Sequence, residues 1–186
     1  MLKADNYTRF HQMLCAAKTN KQMDKALRKF QALYDANKDS TVRDDLFDAA
    51  WAMSCLSGLY SRLNKPGLAE QAYRKSINLF DEIDMPLYSA TLCEALAEFL
   101  ADHGRNAEAE AFLKQEIVHL VKCWGPGYHY VVWAEEELKH FQLTGKIINA
   151  SNHKWCQPCN VDPYHLGFDD DRKDADADRH NNQITH

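Results

Sequence analysis

Residues 153–165 read His-Lys-Trp-Cys-Gln-Pro-Cys-Asn-Val-Asp-Pro-Tyr-His. Two thiols two residues apart, flanked by two imidazoles, are the residue types that bind a borderline metal or exchange electrons as a dithiol. As ligands, His153, Cys156, Cys159 and His165 form H-x2-C-x2-C-x5-H. Four N/S donors in so short a segment suit a tetrahedral zinc site. The C-x-x-C half is a usual chelating unit. The other half rests on one histidine, with Cys123 or a second chain as the other source of a ligand. A third reading leaves two free thiols in a loop, while Trp155, Tyr164, Leu166 and Phe168 pack onto whatever precedes them.

The Trp155–Cys159 stretch also resembles the W-C-x-P-C redox signature of thioredoxin-like proteins. That resemblance implies a strand running into a helix, with the fold wrapped around the motif. Only 27 residues follow Cys159, too few to build such a domain. A reactive thiol also needs a helix start or a cationic neighbour to lower its pKa, and Lys154 is the nearest cation. Downstream, Asp174, Asp176 and Asp178 alternate like calcium-loop ligands. Arg179 then stands where such a loop needs Gly, and Thr185 where it needs Glu. No H-E-x-x-H, G-x-S-x-G or phosphate-cradling glycine loop occurs. Glu135, Glu136 and Glu137 are consecutive, so on a helix they point in different directions and do not form an acid–base pair. The expectation is a protein without a catalytic site.

The elements that would position these residues are helical. The chain has 186 residues, 45% hydrophobic and 26% charged, with 7 Gly and 5 Pro. So few turn residues favour long helices over a sandwich or barrel. The net charge is −5 and the cations are scattered, which argues against nucleic acid. No apolar leader or membrane-length stretch is visible, so a cytoplasmic protein is expected, with no membrane partner. Cys15, Cys55, Cys93 and Cys123 lie far apart in apolar helical segments and read as reduced, buried thiols.

Helical spacing of apolar residues predicts two helices within 5–35, then helices at 44–63 and 68–83. Another begins near Pro86, and one more runs from about 107 to the "GPG" at 125–127. A last helix covers about 128–148. The helices repeat. Residues 56–73 laid over 96–113, an offset of 40, bring Leu56 onto Leu96, Tyr60 onto Leu100, Ala69 onto Ala109 and Tyr73 onto Leu113. An offset of 43 upstream brings Met13, Ala17, Ala26 and Phe30 onto Leu56, Tyr60, Ala69 and Tyr73. A half-copy follows at Ala134, Leu138, Phe141 and Gly145. The small residues Ala69 and Ala109 let antiparallel helices cross closely. One hairpin cannot bury its apolar face alone, but stacked hairpins share a core.

This pattern of large, aromatic and small positions resembles the tetratricopeptide repeat, in the long-period form found in kinesin light chains. The resemblance covers about residues 7–145. It implies an all-α, right-handed superhelical array of about three hairpins plus a capping helix, within residues 1–150. An irregular, Asp-rich tail at 151–186 follows, with disorder expected from about 169. The resemblance further implies an adaptor-like module holding a protein or peptide segment in a concave groove lined by the first helix of each hairpin. The second hairpin then offers Trp51, Ser54, Gly58 and Arg62 to that groove. The third offers Thr91, Glu94, Glu98 and Asp102, and the last helix Glu135 and Lys139. Trp51 suits an apolar anchor, Arg62 a partner carboxylate, and the acidic row a basic segment. The competing reading makes the tail the active element, as a zinc-binding or thiol-redox accessory. Self-association through tail or groove is the third.

Overall fold

A computed structural model describes Leu14 and residues 16–147. Every regular element among them is an α-helix: α1 Asn20–Asn37, α2 Arg43–Arg62, α3 Pro66–Glu82, α4 Pro86–Asp102, α5 Asn106–Trp124 and α6 His129–Thr144. None of these is long and apolar enough to cross a membrane. Of the helix expected before α1 only Leu14 and Ala16 are described, both helical; the rest of it, Cys15 included, and the whole tail, including His153, Cys156, Cys159 and His165, lie outside the described residues.

Local chemistry sets the helix ends. Thr19 caps α1 through a capping box: its hydroxyl accepts from Gln22 N, and the Gln22 side chain accepts from Thr19 N. The next three connections share one geometry. Asn64, Asp84 and Gly104 are equally spaced and take φ of 54°, 55° and 73°. In each turn the following amide reaches back five residues: Lys65 N to Tyr60 O, Met85 N to Phe80 O and Arg105 N to Leu100 O, all at 2.9 Å. This left-handed closure satisfies carbonyls that the helix end would orphan. Pro66 and Pro86 then open α3 and α4 at their first turn, where a missing N–H costs nothing. The sequence placed the fourth helix at 68; it starts at Pro66 for that reason. The last helix stops at Thr144 rather than 148 because Gly145 turns left-handed, with φ 68°.

Such short turns force consecutive helices antiparallel. Packing is closest within the pairs α2/α3 and α4/α5, and each helix also packs on the next in sequence. The repeat positions form the core. Leu56 and Leu96 are fully buried, as are Ala69 and Ala109 where the pairs cross. Each buried leucine contributes roughly 1.5–3 kcal/mol relative to exposure. Cys55 and Cys93 are buried free thiols; Cys123 is half-buried, and its pKa is pushed up chiefly by burial.

Polar ties between neighbouring hairpins also repeat. Glu70 pairs with Arg74 one turn on and accepts from Arg105 across to the next hairpin. At the matching position, Glu110 pairs with Lys114 and accepts from Gln142 of α6 at 2.8 Å. Arg105 chiefly, with Arg74, holds the Glu70 carboxyl below its usual range despite the opposing effect of burial.

Candidate functional site

The groove positions read from the sequence fall into different environments. Glu98 is half-buried, while Asp102, Glu135 and Lys139 are exposed. Trp51 is half-buried against the N-terminal core. Ser54 is half-buried, and its carbonyl accepts the Ser57 hydroxyl at 2.7 Å. Arg62 is exposed along its stem, but its guanidinium donates to the carbonyls of Leu14, at 3.0 Å, and Ala17. It therefore ties α2 to the segment preceding α1. Glu94 is 9% exposed, buried where α4, α5 and α6 meet.

That junction holds a cavity of about 40 Å³. Leu87, Ala90, Thr91 and Glu94 line it from α4, Glu116, Leu120 and Trp124 from α5, and Tyr130 and Trp133 from α6. No cationic side chain is among them. Aromatic rings build one wall: Trp124 stacks on Tyr128 at 5.0 Å and lies 6.3 Å from Tyr130.

Divergence between the two hairpins explains the cavity. Across the offset of 40, Phe47 becomes Leu87, Trp51 becomes Thr91 and Phe80 becomes Leu120. In the earlier hairpin Phe47 and Phe80 meet edge to face at 5.5 Å, and Tyr88 stacks on Phe80 at 4.9 Å. In the later one, three smaller side chains leave space. Ser54 and Ser76 become Glu94 and Glu116 across the same offset. Ser76 is satisfied by donating to Ala50 O at 2.7 Å. Glu116 is only 4% exposed, and its Oε2 is buried with no hydrogen-bond partner. An unpartnered buried carboxylate oxygen is a costly feature in a protein interior.

Like charge surrounds it. Burial first, then the nearby carboxyls of Glu94 and Glu137, push the Glu116 pKa well above the ordinary carboxylate range. Glu137 itself is fully buried. Among the described residues no group of three His, Cys, Asp or Glu is arranged to hold a metal ion. Chemically, the pocket offers aromatic rings and apolar side chains beside two carboxyl groups, and the Thr91 hydroxyl in its lining donates to Leu87 O at 3.1 Å.

The sequence reading counted Glu94 as a groove residue, took Glu137 only as part of a carboxylate run, and passed over Glu116, Trp124, Tyr130 and Trp133. A signal existed. Glu116 lies between Leu113 and Leu120, and Glu137 between Ala134 and Phe141, at the spacing of the buried face. No known protein family matches the chain, and neither a curated protein nor a solved structure matches it.

Proposed function

We propose that the chain is a non-enzymatic interaction module of the tetratricopeptide type, holding a partner segment along the first helices of its hairpins. The observation that carries this reading is the open pocket beside Thr91 and Glu94. It lies at two positions of the row that the repeat pattern assigns to the groove. A structural repeat with no ligand gains nothing by exchanging packed aromatics for a cavity and a buried carboxylate. Thr91, Glu94, Glu98 and Asp102 follow one another along the same helix face, so a bound segment would meet an acidic track ending in the pocket.

The test is selection of binding peptides from a random-sequence display library, followed by charge reversal on the track. Selected peptides enriched in basic residues, weakened at least tenfold by the double change Glu98→Lys with Asp102→Lys, support the reading. Peptides that bind equally well to the charge-reversed protein contradict it.

A further inference from the structure

We infer that the α4/α5/α6 pocket is a receptor for the guanidinium head of an arginine side chain, with Glu116 and Glu94 as its anionic floor and Trp124, Tyr130 and Trp133 as its walls. The inference rests on the proposed module reading for the source of that arginine, but the pocket can be tested without it.

Four observations converge. Glu116 Oε2 is buried in the pocket lining without a hydrogen-bond donor, and a guanidinium supplies five. The lining holds the carboxyls of Glu94 and Glu116 and no cationic side chain, so an entering cation meets acceptors and no like charge. Trp124, Tyr130 and Trp133 line the pocket, and a guanidinium stacks on aromatic rings better than other side-chain cations. Leu87, Ala90 and Leu120 give an apolar collar for the methylene stem. The size agrees: a volume of about 40 Å³ admits a few water-sized bodies, the bulk of a guanidinium head rather than of a folded segment. Arginine is preferred to lysine because an ammonium is more strongly hydrated and loses more on entering an aromatic and apolar lining.

Loading is coupled to a proton. No cationic side chain lines the empty pocket, and burial together with the nearby carboxyls of Glu94 from α4 and Glu137 from α6 disfavours a negative charge on Glu116; the Cys93 thiol of α4, whose pKa burial pushes up, and the Tyr130 phenol of α6 complete its surroundings. An entering guanidinium reverses that balance, and the carboxyl proton leaves to solvent. Affinity therefore rises with pH as long as Glu116 is protonated in the empty protein.

The experiment titrates Nα-acetylarginine amide into the full chain by calorimetry in two buffers of different ionisation enthalpy, with tryptophan fluorescence as a second readout. Saturable binding with proton release, lowered roughly ten- to hundred-fold by Glu116→Gln or by the uncharged citrulline amide, is expected for a charge-assisted contact. Trp133→Leu provides an independent variant that leaves the carboxylates in place; binding should weaken and proton release persist. Equal binding of citrulline amide, unchanged binding by Glu116→Gln, tighter binding of the lysine amide, or no binding of the arginine amide overturns the assignment. If arginine amide binds as expected while library peptides ignore the Glu98/Asp102 track, the pocket stands and the groove reading falls. The reverse result removes the pocket alone.

Discussion

At the residue scale, Glu116 separates structural economy from function. A carboxylic acid whose pKa is raised on folding keeps its proton in the native state at pH values where the unfolded chain has lost it. The native state then binds more protons than the unfolded one, so stability falls as pH rises from the unfolded value, near 4.5, through the folded one. Each pKa unit of elevation costs about 1.4 kcal/mol at high pH. Glu116→Gln carries no titratable proton and escapes that loss. Its melting temperature should exceed that of wild type at pH 8 by a few degrees, on the order of 2–4 °C per kcal/mol for a chain of this size. The gain should vanish near pH 4. Thermal melts across pH check this, and parallel curves for the two proteins would contradict the assignment of a buried acid. A substitution that stabilises the empty protein while weakening ligand binding is the expected trade at a site kept for binding. This residue was legible only in part. Its helical phase marked it as buried, but a sequence does not reveal that Thr91 and Leu120 would leave room beside it.

At the element scale, the turns carry the repeat. Asn64, Asp84 and Gly104 occupy the same left-handed position, and only Gly104 does so without a Cβ. Nothing lies within 4 Å of where a Gly104 Cβ would stand, so substitution there meets conformational cost alone. Gly104→Ala should therefore destabilise by about 1 kcal/mol, and Asn64→Gly should be near neutral. Chemical denaturation of both variants measures the difference; a neutral Gly104→Ala would mean that the α4/α5 turn relaxes away from its partners' geometry. Pro66, Pro86 and the glycines at 104 and 125 made the order of the described helices legible, because they are local signals. The starting points were less so. Pro66 reads as a turn residue in isolation and becomes helical because α3 uses it at N1. Arg62 shows the opposite limit: its spacing placed it on the groove row, but its contacts with the Leu14 and Ala17 carbonyls depend on where the preceding segment ends.

For the whole molecule, the all-helical, sequentially packed architecture was the most legible property, since the offset of 40 repeats both the core positions and the Glu70/Glu110 ties. The site was least legible, because it arises where the repeat departs from itself. Phe47, Trp51 and Phe80 fill the earlier junction; Leu87, Thr91 and Leu120 open the later one. The Cys/His segment that first draws attention, with His153, Cys156, Cys159 and His165, belongs to a different part of the chain from the pocket. The central claim is that a partner segment lies along α4 and ends in that pocket. Site-specific photo-crosslinking tests it most directly. A benzoylphenylalanine is placed at Asp102 on α4, or at exposed Val118 on α5, and the proteins are irradiated with peptides selected on wild type. The account predicts adducts from position 102, competed away by arginine-containing peptide, and none from position 118. Adducts from 118 alone, or adducts from 102 that persist unchanged in Glu116→Gln at limiting peptide, would contradict it.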